Sequence, residues 1–246
     1  MTLPLVLAFL FFGGSLIGWS LELIWRRFFS GNNPERKWIN PGFLVGPYLP
    51  LYGFSLCVLC MMSFIDVSFI ENPVLQKSIL FVIMALVITL IEYIAGLIFI
   101  HGMKIKLWDY SSCWGNIQGI ICPMYSFFWW ILSGLYYFLI HPHILDSLYW
   151  LAEHLSFSFF IGFFYGVFAI DLCYSLKILA KIRVFAKEKD VIVRIEVFKE
   201  SIRKKNAELK EKRHFVLAFK SEQISFIEQL RMHLEKLKNE NKNQEI

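Results

Sequence analysis

The chain has 246 residues, 57% of them hydrophobic, 17% aromatic and only 18% charged, with a mean hydropathy of +0.52. A soluble domain sits nearer half apolar and a quarter charged, so an ordinary soluble globular domain is excluded. The net charge of +5 is uneven: residues 1–180 carry eight Lys/Arg against nine Asp/Glu, residues 181–246 seventeen against eleven. The basic balance therefore belongs to the tail, where it points to an anionic lipid surface and not to nucleic acid.

Met1 to Leu21 and Tyr110 to Ile140 contain no Asp, Glu, Lys, Arg or His. Uncharged apolar runs of about 18 or more residues are read as membrane spans, because roughly 20 helical residues cross the hydrocarbon core. Hydropathy and chain breakers together predict an all-α, polytopic bundle of about five spans over residues 1–180, at 3–25, 51–65, 77–100, 120–140 and 156–179. The first span ends at Arg26-Arg27 and is followed by a Gly-, Pro- and Asn-rich loop, Gly31 to Pro50. It lacks a basic n-region and a small-residue cleavage site, so it does not read as a cleavable signal peptide. Asp66 to Gln76 is a polar link, His101 to Gly119 a third loop, and Ile144 to Leu155 an expected interfacial helix after His141-Pro142-His143.

Residues 181–246 form a basic helical tail with apolar residues at helical spacing: Ile195, Phe198, Ile202, Leu209, Val216, Phe219, Ile227, Leu230, Leu234 and Leu237. Lys205 and Lys212 interrupt the seam, and an eleven-residue step separates Val216 from Ile227, which makes a weak heptad with a stutter. Either amphipathic helices packed on each other or the membrane, or a dimerising coiled coil, satisfies this pattern. Lys and Arg cluster in the first and third loops and the tail, so the positive-inside rule puts the N-terminus outside and the C-terminus in the cytoplasm of a multi-pass cell-membrane protein. The five cysteines show no disulfide framework; Cys57 and Cys60 have redox-motif spacing but lie inside a span, as buried thiols.

Three carboxylates fall within spans: Glu22, Glu92 and Asp171. A charge in lipid costs about 2.5–3.5 kcal/mol on insertion scales, so such residues face the bundle interior and are candidate functional groups. Gly14, Gly18 and Glu22 share one helical face, which Arg26 extends as an i, i+4 ion-pair partner. Ala85, Thr89, Glu92 and Gly96 share another, and small residues on both faces permit close helix approach. The four residues Glu22, Arg26, Glu92 and Asp171 are the candidate polar membrane cluster, all toward the cytoplasmic ends of their helices. The plainer alternative is that the acids are paired and merely fix helix register.

Two loops carry further candidates. The first, Asn40-Pro41-Gly42-Phe43-Leu44-Val45-Gly46-Pro47-Tyr48-Leu49-Pro50-Leu51-Tyr52-Gly53, has enough Gly and Pro to suggest a re-entrant or tightly turned entry to the second span. The other holds Trp108, Asp109 and Tyr110, then Asn116-Ile117-Gln118-Gly119. Asn40, Gly42, Gly46, Pro47, Trp108, Asp109, Tyr110 and Asn116 are the candidate cytoplasmic loop site.

These motifs, with Glu92-Tyr93-Ile94-Ala95-Gly96 in the third span and a glutamate ending the first, resemble the bacterial membrane family labelled putative ABC-transporter type IV, or CmpB-like. The resemblance covers roughly residues 10–140 and lies chiefly in the loops. It implies a permease component. Two positions depart from the family pattern: Pro41 and Ile120 stand where arginines commonly follow the loop asparagine and the Asn-x-x-Gly turn.

Three function classes follow. A permease component would need a separate nucleotide-binding ATPase subunit, since no Gly-x4-Gly-Lys-Ser/Thr loop is present, and five spans suggest a homo-oligomer. A scaffold or regulator would act through the basic tail. A membrane-embedded enzyme would use Glu22, Glu92, Asp109 or Asp171, but no nucleophile elbow or zinc-protease helix accompanies them. No catalytic residue, cofactor or metal site is therefore assigned; His141 and His143 are expected on the face opposite the carboxylates.

Overall fold

The structure, a computed structural model, describes residues 3–31, 33–144, 146, 150, 154, 156–188 and 191–203. Among these residues, five helices of 13 residues or more follow in chain order: α1 (Leu3–Phe28), α2 (Pro50–Met62), α3 (Pro73–Leu97), α4 (Pro123–Leu135) and α5 (Ser156–Glu188). Two of them continue in wider π-type turns, α3 through Ile98–Met103 and α4 through Tyr136–Ile140. Two-residue strands β1 (Ile105–Lys106) and β2 (Val193–Arg194) pair in parallel, a small addition to an otherwise helical chain.

Proline sets three helix starts, at Pro50, Pro73 and Pro123. At the first helical position its missing N–H is one that would lack a partner anyway, and its fixed φ suits the helix. Before Pro73, Asn72 Oδ1 accepts from the amides of Val74 and Leu75 at 2.9 and 3.2 Å, an N-cap. Asn33 closes the other end of α1: its Nδ2 donates to the Arg26 carbonyl at 3.0 Å and to the Lys37 carbonyl at 2.8 Å.

Three described helical stretches are long and apolar enough to cross a membrane: Leu3–Phe28, Pro73–Met103 and Phe159–Glu188. Helix α2 has 13 residues; at 1.5 Å per residue it is about 20 Å long, short of a hydrocarbon core of about 30 Å. Helix α5 continues past Leu179 to Glu188, into the start of the basic region. The heptad positions from Leu209 onward, and most of the expected interfacial helix Ile144–Leu155, lie outside the described residues.

The described chain divides into two compact units, one of residues up to Ala95 with Tyr110–Ser175, the other of Gly96–Asp109 with the chain from Leu176. In the first, Leu10, Leu59, Cys60, Leu80, Met84, Ile88, Trp129 and Tyr136 form a buried core. The opposite faces carry Ile17, Ile24, Leu86, Leu90, Phe127 and Phe163, all exposed, the distribution expected of helices whose outer faces meet lipid. In the second, Ile105, Ile182, Ala186 and Val193 are fully buried and Val191, Ile195 and Phe198 nearly so.

Candidate functional site

Glycine lets α1 and α2 come together. A Cβ on Gly14 would lie 3.1 Å from Gly53 Cα, and one on Gly18 would lie 2.2 Å from Tyr52 Cγ. Only bare backbone admits the Tyr52 ring at that point. The ring crosses Gly18 and brings its hydroxyl to the end of α1, where it donates to Glu22 Oε2 at 3.3 Å. Glu22 Oε1 accepts from Arg26 Nε at 2.9 Å, one helical turn on. The pair is half-buried, its side chains 26% and 20% exposed.

Glu92 lies deeper. It is 3% exposed, on the face of α3 that also buries Ala85 and Ile88. Tyr110 donates to its Oε1 at 3.3 Å, while Oε2 has no hydrogen-bond partner among the described residues. The Trp129 indole lies close enough to act on the carboxylate, and Glu22 acts on it electrostatically. Rings close the surroundings: Tyr52 against Trp129 at 4.8 Å, and Tyr110 stacked on Tyr125 at 4.2 Å. Burial, and then the charges of Glu92 and Glu22, push the Tyr110 phenol well above its ordinary value; it stays a donor.

Asp171 is engaged elsewhere. Its Oδ2 accepts from the Gly46 amide at 2.7 Å and the Tyr48 hydroxyl at 2.6 Å, its Oδ1 from the Val45 amide at 3.2 Å and Ser175 Oγ at 2.9 Å. The structure thus brings Glu22, Arg26 and Glu92 together and places Asp171 in a separate clasp on the first loop. Asn40 holds the other side of that loop, donating to the carbonyls of Leu44 and Val45 at 3.0 and 2.9 Å and accepting from Trp19 Nε1 at 2.6 Å. The Leu49 amide donates to the Ser15 carbonyl at 3.0 Å. Chain with main-chain groups paired in this way can leave water without orphaning them.

The loop glycines serve this clasp. Gly42 has φ +74, in the left-handed region, and a Cβ on Gly46 would meet the Tyr48 ring at 2.3 Å. Pro47 is exposed. Burial, then the hydrogen bond to the Asp171 carboxylate, push the Tyr48 phenol up.

The His101–Gly119 loop is knotted by Asn116, whose Nδ2 donates to the carbonyls of Ser111 and Cys113 and whose Oδ1 accepts from the Gly119 amide at 2.9 Å. Tyr110 closes the loop, its amide donating to the Gly119 carbonyl at 2.9 Å. Asp109, in the second compact unit, bridges Lys106 Nζ at 2.7 Å and Arg194 Nε at 3.0 Å, beside the β1–β2 pair. Trp108, next to it, is half-buried. So six of the eight loop candidates divide among three local arrangements: Asn40, Gly42 and Gly46 with Asp171; Tyr110 and Asn116 in the His101–Gly119 loop; Asp109 with Lys106 and Arg194.

Pro41 and Ile120 are both fully buried, positions where a guanidinium would need a partner. The tyrosines 48 and 52 were missed by sequence reasoning as site residues, as were Trp19 and Trp129. Their signal was present: Tyr48 and Tyr52 lie within the Gly/Pro motif, but aromatic residues near span ends also suit a membrane interface.

A family model described as "Putative ABC-transporter type IV" matches residues 9–176. No curated protein and no solved structure matches the chain.

Proposed function

Because the chain belongs to the putative ABC-transporter type IV family, we propose that it is the membrane-embedded permease component of a transporter driven by a separate nucleotide-binding ATPase subunit. The family match over residues 9–176 and three helices able to cross a membrane support this reading. In this proposal about five segments span the cytoplasmic membrane, the N-terminus lies outside, and the basic tail lies in the cytoplasm. Lys and Arg placement supports the orientation, and the tail forms the 181–246 domain.

The polar groups Glu22, Arg26 and Glu92 line the cytoplasm-facing part of the transport path. The observation that carries this is Glu92: an acid 3% exposed with one oxygen lacking a partner among the described residues is a costly feature that an anchor does not need. The ATPase docks on the loops Gly31–Pro50 and His101–Gly119, and two copies of the chain complete the path.

Affinity capture of the tagged protein from mild-detergent membranes, followed by mass spectrometry, tests the assignment. A stoichiometric P-loop ATPase is the expected companion. Recovery of self-associated chain alone, or of an unrelated soluble partner, would overturn the permease reading in favour of a scaffold acting through its tail.

A further inference from the structure

Charge in the Glu22–Glu92 cluster does not balance. Two carboxylates share it with one guanidinium, and Arg26 sits on Glu22 at 2.9 Å. Glu92 has no ion pair among the described residues; it has a single phenolic donor on Oε1 and none on Oε2. A buried carboxylate so poorly supplied is stable only when its charge is neutralised by something further. The groups facing it are Glu22 from α1, Tyr52 from α2, Tyr110 from the His101–Gly119 loop and Trp129 from α4; Arg26 is held by Glu22, and no described group brings a positive charge to Oε2.

The surroundings also offer a route. Tyr52 interacts electrostatically with both glutamates and hydrogen-bonds Glu22 at 3.3 Å. The Glu22–Arg26 pair at its other side retains 26% and 20% exposure. A buried acceptor is thereby linked through one phenol to a partly exposed ion pair.

We infer that Glu92 is the seat of a monovalent cation, held at its unpaired Oε2 and exchanged with water by way of Tyr52 and the Glu22–Arg26 pair. One uncompensated negative charge calls for one positive charge. An aqueous proton and an alkali ion share that chemistry: the proton would form an O–H bond at Oε2, the alkali ion would take Oε2 with the phenolic oxygens nearby. This inference rests on reading the cluster as working machinery of the permease. It is measured on the chain alone, so that a missing ATPase would leave it standing and a missing cation would leave the ATPase assignment standing.

The test uses the full chain in detergent at neutral pH. Infrared difference spectra report whether a carboxyl group is un-ionised, and thermal unfolding is followed in NaCl, KCl and N-methylglucamine chloride at equal ionic strength. A proton at Glu92 gives an un-ionised carboxyl band in the wild type that is lost in Glu92→Gln and displaced in Tyr110→Phe. An alkali ion gives no such band, but a melting temperature that climbs with Na⁺ or K⁺ and not with N-methylglucamine, the response disappearing in Glu92→Gln. Tyr110→Phe, which keeps the carboxyl and removes its phenolic donor, carries either arm if Glu92→Gln fails to fold. An ionised carboxylate together with the same melting temperature in all three salts would overturn the inference.

Discussion

Tyr48 donates its hydroxyl to Asp171 Oδ2 at 2.6 Å, joining the first loop to α5 across 123 positions of sequence. The same oxygen takes the Gly46 amide, and the carboxylate's other oxygen takes the Val45 amide. One acid therefore holds three donors of a loop whose own geometry depends on Gly42 and Gly46.

Removing that acid leaves the donors without their acceptor. Asp171→Ala is expected to destabilise the protein by about 3 kcal/mol, the range of a lost charged acceptor with donors left behind. Tyr48→Phe removes one of those bonds and is expected to cost about 1–2 kcal/mol. Equilibrium unfolding in mixed micelles gives the two values, and limited proteolysis around Val45 should be faster in Asp171→Ala. Equal effects of the two substitutions would show that the loop is not held by the carboxylate.

Glycine substitutions separate a packed position, Gly18, from an unpacked one, Gly162. Gly18→Ala puts a methyl 2.2 Å from the Tyr52 ring, and overpacking of this kind costs about 1–3 kcal/mol. It should also weaken the Tyr52–Glu22 contact. Gly162→Ala meets nothing within 4 Å, and replacing a helical glycine by alanine there is expected to be neutral or stabilising by about 0.5–1 kcal/mol. Thermal unfolding of both variants checks the contrast.

Asp109 bridges Lys106 and Arg194, but Arg194 is 58% exposed. Solvent screening limits such a contact, so Asp109→Asn is expected to cost less than about 1 kcal/mol. The loss should shrink at high salt, because the partly exposed pairs are screened. Unfolding measured at low and high ionic strength decides it; an effect that does not change with salt points to packing instead.

Alkaline pH tests the loop phenols. Tyr48 and Tyr110 are both pushed above the ordinary tyrosine value, Tyr48 by burial and the Asp171 carboxylate, Tyr110 by burial and the glutamate charges. The folded state therefore favours the neutral phenol. Its contribution is complete below about pH 10, where unfolded tyrosine titrates, and is lost as pH rises from there toward the folded values. Ultraviolet titration should show late-ionising tyrosines, fewer by one in Tyr48→Phe, and that variant should lose less stability on the alkaline side.

Much of this protein was legible one residue at a time. The apolar runs placed the helices, and the spacing of Gly14, Gly18 and Glu22 correctly indicated a face that meets another helix. The spacing of Glu22 and Arg26 likewise anticipated their contact at 2.9 Å. Boundaries were less accessible: hydropathy put two helix starts at Lys77 and Ile120, whereas Asn72-Pro73 and Pro123 begin them. A hydropathy average does not register the break at a proline, whose missing N–H and fixed φ suit the first helical position.

The pairing of the polar groups was decided only in three dimensions. Helical phase could say that Asp171 points away from Gly162 and Gly166, but no local rule assigns it a loop more than a hundred residues earlier. Nor does sequence distinguish a tyrosine at a lipid interface from one such as Tyr52 or Tyr110, which turns inward to supply a carboxylate. Burial and helical period are local properties that sum along the chain, so the sequence by itself determined an apolar helical protein and its close-packing faces. Hydrogen bonds require two groups within about 3 Å of each other, and that condition is met or missed only when distant segments have packed.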